Sequence, residues 1–241
     1  CLFINFGFMK SILLILLFFS VLAACNQASK SDESNETGSE MAKATTEAKP
    51  EKIIMFFGNS ITAGYGVSTD EAFPARVQAI LDSLEYPYKV VNAGLSGETS
   101  AGGLNRIDWV LRTVPDIFVL ELGGNDGLRG LKLSETKKNL SAIIEKVEAV
   151  NPEAKIVLAG MEVPPNLGQD YTAEFKRLYQ ELAEVHDVVF IPFILEGIGG
   201  EEGLNQSDGI HPNVEGHQKV AQTVWGYLSP LITKSTSGEG I

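Results

Sequence analysis

Five short apolar runs punctuate the chain, at residues 53–57, 89–92, 117–122, 156–159 and 188–191. Runs without strict alternation suit strands covered on both faces, as in a parallel sheet. Between them, apolar residues recur at helical spacing: Phe73, Val77, Ile80, Leu81 and Leu84, then Leu140, Ile143, Ile144 and Val147, and finally Val220, Ala221, Val224 and Leu228. Parallel strands need crossovers, and right-handed crossovers place helices on both faces, so the pattern predicts a doubly wound α/β sandwich. No internal repeat and no second domain interrupts it. Ligands of such sheets bind beyond the carboxyl ends of the strands, which directs attention to the residues that follow each run.

The first fifty residues follow a different pattern. Met9 and Lys10 open a short charged region, residues 11–24 form an apolar run, and Leu22-Ala23-Ala24-Cys25 closes it. The run falls short of the roughly 20 residues of a membrane-spanning helix and reads as a signal peptide over residues 1–24, with the true start at Met9. The small residues before Cys25 resemble the lipobox of bacterial lipoproteins, in which that cysteine is lipidated. Residues 26–50 are rich in Ser, Glu, Ala and Thr and nearly free of large apolar side chains. With residue 25 they are expected to form a flexible tether with a span of about 25 to 30 Å. The folded domain is assigned to residues 51–233 and a disordered tail to 234–241. These features together predict an exported bacterial lipoprotein, membrane-anchored through Cys25 and periplasmic or cell-surface, with a monomeric domain.

Composition narrows the partners. The formal net charge of -12 disfavours phosphate backbones, so nucleic acid is not expected as a partner. The only other cysteine is Cys1, which leaves the domain without a disulfide or thiol chemistry.

Four post-strand segments carry candidate chemistry. After the first run, Gly58-Asn59-Ser60 leads into a helical start, where backbone N–H groups would favour a developing alkoxide. Taken alone, Ser60 fits a helix N-cap equally well. After the second lies the glycine-dense stretch 92–103, in which the Gly97 N–H is a candidate donor and a plain turn the competing explanation. After the third, Asn125 offers a neutral amide to an oxyanion. Glu121, on that strand, is expected to be a hydrogen-bonded structural carboxylate, and Asp126 and Arg129 to stabilise the loop. Near the end, Asp208 and His211 stand three apart in a tight loop, a spacing that lets the carboxylate orient the imidazole as a general base. Pro212 and Asn213 then start the last helix. Of the other two histidines, His186 is placed late in a helix with no nearby partner, and His217 on an inward helix face as a satisfied structural residue. None of the three histidines shows metal-ligand spacing with acidic or cysteine partners, so no metal and no other cofactor is expected.

The segments FFGNSITAGYG, VVNAGLSGETSAGGLNRI, ELGGNDGLRG and DGIHPN, in this order, resemble those of the SGNH hydrolases, also called GDSL esterases, and within them the bacterial thioesterase, arylesterase and lysophospholipase branch. The resemblance spans residues 53–232. It implies a three-layer α/β/α sandwich with a flavodoxin-like five-stranded parallel sheet, and serine-dependent hydrolysis of carboxylic esters or thioesters. By matching motifs it implies Ser60 as nucleophile, Asp208 and His211 as the rest of the triad, and the N–H groups of Ser60 and Gly97 with Asn125 as the oxyanion hole. Asn59 departs from the family, which usually has aspartate before the serine. Val163, Pro164, Pro165 and Leu167, after the fourth run, form an expected apolar rim for an acyl chain or aromatic leaving group. Deacetylation of a polysaccharide is the alternative within the family. An α/β-hydrolase would need G-x-S-x-G, which the surroundings of Ser60 and Ser96 lack. A flavodoxin-type nucleotide-binding module would need a glycine fingerprint or P-loop lysine that the first loop lacks.

Overall fold

β1 (Lys52–Gly58) has the sequence KIIMFFG, and Ile54 to Phe57 are fully buried because strands flank it on both edges and helices cover both faces. The computed structural model describes residues 52–233. The expected signal peptide, the lipidation site Cys25, the tether and the tail lie outside the described residues.

β2 (Tyr88–Asn92), β3 (Ile117–Glu121), β4 (Lys155–Ala159) and β5 (Val189–Ile191) complete a five-stranded sheet of order β2-β1-β3-β4-β5. Every pairing is parallel. The strands fall within a residue of the apolar runs. Leu122, expected on the third strand, lies just beyond it, its carbonyl accepting from Tyr179 Oη at 2.8 Å. Burial fades toward the edges: β3 is buried throughout, whereas β2 and β5 are only partly covered.

The helices are α1 (Ser60–Ala63), α2 (Phe73–Ser83), α3 (Ser100–Val110), α4 (Gly124–Leu128), α5 (Leu133–Val150), α6 (Gln169–His186) and α7 (Val214–Leu228). α2 packs on α7, while α3 packs on α5 and α5 on α6. This is the two-sided cover that right-handed crossovers dictate for this strand order. The stretch 92–103 is a shorter loop than expected, because α3 begins at Ser100 with Thr99 Oγ1 accepting from the Gly102 N–H at 3.2 Å. Among the described residues no helix is long and apolar enough to cross a membrane.

The strand order reverses at β1, whose neighbours are β2 and β3. The switch-point crevice therefore opens beyond the carboxyl ends of β1 and β3, where Ser60 and Asn125 follow their strands.

Candidate active site

Gly58 is the last residue of β1 and pairs with Glu121 on β3. A Cβ on Gly58 would lie 2.1 Å from Thr62 Oγ1 and 2.6 Å from Glu121 Oε2, so the apolar strand must end in glycine for the next turn to fold back over Glu121. That turn is α1. Asn59 caps it, its Oδ1 accepting from the Ile61 N–H at 2.9 Å, and Ser60 opens it. A four-residue helix carries little dipole; the chain turns here because Glu121 gathers its donors.

Glu121 is completely buried and accepts four hydrogen bonds. Asn59 donates from Nδ2 at 2.6 Å and from its N–H at 3.2 Å; Thr62 donates from Oγ1 at 2.8 Å and from its N–H at 3.2 Å. Burial pushes its carboxyl up to about 7 even against these donors. As the sequence suggested, Glu121 is a structural carboxylate, and its work is to hold the two residues that bracket Ser60.

Ser60 Oγ lies 2.9 Å from His211 Nε2 and 3.4 Å from Asn59 Oδ1. His211 Nδ1 lies 2.6 Å from Asp208 Oδ2. The other Asp208 oxygen accepts the backbone N–H groups of Ile210 and His211, at 2.9 and 3.0 Å. The N–H of His211, its ring N–H and the N–H of Ile210, in that order, draw the Asp208 carboxyl down to about 2. It is therefore ionised at any neutral pH and fixes the proton of the neutral imidazole on Nδ1, leaving Nε2 as an acceptor facing Ser60.

The loop that carries this pair is braced from outside. Gln206 donates its N–H to the His211 carbonyl at 2.8 Å, and its Nε2 to the carbonyls of Tyr65 at 2.6 Å and Pro212 at 3.0 Å. Asn213 caps α7 with Oδ1 and donates Nδ2 to the Gly203 carbonyl at 2.7 Å. Gln206 gave no signal in the sequence, because its importance rests on a contact across 141 positions with the loop after Ser60.

Gly97 is exposed, has φ +80°, and its N–H has no partner among the described residues. Its carbonyl accepts from Arg129 Nη2 at 3.0 Å, and the carbonyl of Glu98 accepts from Asn125 Nδ2 at 3.0 Å. One Asn125 amide hydrogen is thus spent on holding the Gly97 loop, and the second is free to donate. Arg106 clamps the other side of that loop, pairing with both oxygens of the buried Glu98 and donating to the Ala93 carbonyl at 2.7 Å. Asp126 accepts from the Ser100 N–H at 2.8 Å and from Thr136 Oγ1 at 3.2 Å, which ties α4 to α3 and α5.

Of the expected rim, Pro164, Pro165 and Leu167 are exposed, but Val163 turns inward against Gly127 of α4. The buried side of Val163 supports the rim rather than forming its surface. His186 corrects another expectation: its Nε2 lies 2.8 Å from Ser141 Oγ, so it does have a partner. His217 is fully buried and only half satisfied. Its Nδ1 accepts from the Phe73 N–H at 3.3 Å, its Nε2 has no partner among the described residues, and burial pushes the ring down to about 4.

The model of the GDSL-like lipase/acylhydrolase family matches residues 56–219. The chain is 39% identical over 188 residues to esterase TesA of Pseudomonas aeruginosa, covering 78% of this chain and 92% of that protein. It is 36% identical over 189 residues to thioesterase 1/protease 1/lysophospholipase L1 of Escherichia coli, covering 78% and 88% respectively. Among solved structures, the psychrotrophic esterase EstA of a Pseudoalteromonas species, inhibited by monoethylphosphonate, superposes with a TM-score of 0.71 at 29% identity, over 75% of this chain and 98% of that one. With its family model spanning well over half the sequence, this chain belongs to the GDSL-like lipase/acylhydrolase family.

Proposed function

We propose that this chain is a serine ester hydrolase working through an acyl-enzyme, and the observation that carries the proposal is the continuous relay Ser60–His211–Asp208, with contacts of 2.9 and 2.6 Å. Ser60 Oγ attacks the acyl carbonyl and its proton passes to His211 Nε2. The carbonyl oxygen, now an oxyanion, accepts the N–H groups of Ser60 and Gly97 and the free amide hydrogen of Asn125. Collapse breaks the ester bond, and the departing alcohol or thiol takes its proton from His211. Water repeats the traffic in reverse, giving its proton to His211 and releasing the acid. Asp208 stays ionised throughout and stabilises the imidazolium.

For the substrate we favour acyl esters, including aryl esters, short to medium acyl chains and lysophospholipids, with thioesters as further candidates. Exposed Leu167 supports this, since its methyls would lie 3.7 and 3.8 Å from a Cβ on Gly130, in a segment whose Leu128 and Leu131 are also exposed. The names of the relatives, esterase and lysophospholipase, point the same way. Export as a monomeric lipoprotein anchored through Cys25 belongs to the same proposal, and loss of labelling by a fatty acid in Cys25→Ser checks the anchor.

The central test is titration with an alkyl phosphonate, with the adduct located by peptide mass. Labelling at Ser60, abolished in Ser60→Ala together with turnover of p-nitrophenyl esters, is the expected result. Absence of labelling with an intact fold overturns the hydrolase assignment. A chain-length series from acetate to palmitate, run beside acetylated xylan, sets the substrate class. A sharp preference for acetate with turnover of the xylan moves the assignment to polysaccharide deacetylation.

A further inference from the structure

Tyr65 follows α1 and leaves about half of its surface, 52%, in solvent, yet it is held firmly. Its N–H donates to the Ser60 carbonyl at 3.0 Å, and its carbonyl accepts from Gln206 Nε2 at 2.6 Å. It is therefore gripped by the nucleophile's turn on one side and the base's loop on the other. Its ring lies against the His211 imidazole, with centroids 4.7 Å apart and planes at 45°. The phenol hydroxyl has no hydrogen-bond partner among the described residues. The ring is thus a fixed, half-exposed aromatic face set against the imidazole of His211.

Its position has a chemical meaning. When the tetrahedral intermediate collapses, His211 Nε2 hands a proton to the departing atom, so the leaving group must lie within hydrogen-bond reach of the imidazole. The acyl carbonyl oxygen points the other way, toward Gly97 and Asn125. The atoms beyond the departing oxygen or sulfur thus emerge beside the ring that covers His211. Given the hydrolase mechanism above, on which this inference rests, we propose that Tyr65 is the leaving-group platform: its exposed ring selects esters whose departing group is flat and aromatic over those departing as small alkanols.

The test compares phenyl butyrate with ethyl butyrate, which share an acyl group and differ in the group that leaves. The ratio of kcat/KM between parent and variant cancels the intrinsic reactivity of each ester. Tyr65→Ala is expected to lower kcat/KM for the phenyl ester about 3- to 10-fold more than for the ethyl ester, the range of one aromatic contact. Tyr65→Phe is expected to keep the parental ratio, because the ring and not the hydroxyl makes the contact. Hydrolysis of the butyryl-enzyme, followed after a p-nitrophenyl butyrate burst, is expected to be unchanged in both variants, the leaving group being gone by then. An equal loss on both esters, a loss in Tyr65→Phe as large as in Tyr65→Ala, or slowed deacylation overturns the platform and leaves Tyr65 as a residue that merely positions His211. Absence of turnover in the parent, with no phosphonate adduct at Ser60, instead overturns the hydrolase assignment and the platform with it.

Discussion

Asn59 Nδ2 and Glu121 Oε1 are 2.6 Å apart, so the residue at position 59 decides what charge Glu121 can carry. With an amide there, the carboxylate receives a donor; with the aspartate usual in the family, two carboxyl groups would have to share one proton. Asn59→Asp is expected to cost stability and kcat/KM increasingly toward alkaline pH, where the shared proton is lost. Adding Glu121→Gln restores a donor opposite the new carboxylate and should recover much of the alkaline loss. Thermal unfolding and initial rates over about pH 6 to 9 check both; a single variant with parental alkaline behaviour would show that the two groups do not pair. Asn125 bears a different load, since one amide hydrogen secures the Glu98 carbonyl and the other is assigned to the oxyanion. Asn125→Ala should lower kcat roughly 100- to 1,000-fold, the cost of one oxyanion donor, with a smaller change in KM.

Among the elements, α3 shows where local sequence and final structure part. Gly102 and Gly103 both lie inside it, and each glycine weakens a helix by about 1 kcal/mol relative to alanine. A Cβ on Gly103 would lie 2.4 Å from Leu122 Cδ1 and 3.2 Å from Phe57 Cε1, so the glycine lets the helix sit directly on the sheet. Gly103→Ala should therefore destabilise by about 1 to 3 kcal/mol despite its better helix propensity, as urea denaturation can measure. The same glycines are why the sequence suggested a loop through residue 103, where the chain is already helical from Ser100. Elements with dense apolar periodicity, such as β1 and α7, were legible, as were the four segments that carry Ser60, Gly97, Asn125 and the Asp208–His211 pair. The braces were not: Gln206 to Tyr65, Arg129 to Gly97 and Tyr65 on His211 join residues remote in sequence, and nothing local marks them. Val163 was misread for a related reason, because an apolar residue in a lip-forming stretch can face either way until its neighbour Gly127 is placed.

For the molecule as a whole, two buried groups tilt stability in opposite directions. Burial raises Glu121 from the usual 4.5 to about 7, so the folded state retains a proton that the unfolded chain gives up. Its contribution is full below about 4.5 and declines as pH rises to about 7. Burial lowers His217 from 6.5 to about 4, so the folded state refuses a proton that the unfolded chain accepts. That contribution is full above about 6.5 and is lost as pH falls toward 4. Between about pH 4.5 and 6.5 the slopes oppose, and the parent should show a shallow profile of melting temperature. Glu121→Gln should tilt it to rise with pH, and His217→Phe to fall; parallel profiles for all three proteins would mean that neither group titrates in that window. Below it, loss of ionised Asp208, held down at about 2, adds to acid unfolding. The start of β1 and the residues that follow α7 lie side by side. Lys52 Nζ donates to Thr233 Oγ1 at 3.3 Å, and Lys52 stands at the opposite end of β1 from Ser60. The two ends could thus be spliced by a short peptide and the ring reopened in a surface turn, or either end fixed to a bead, with the crevice still facing the bulk solution.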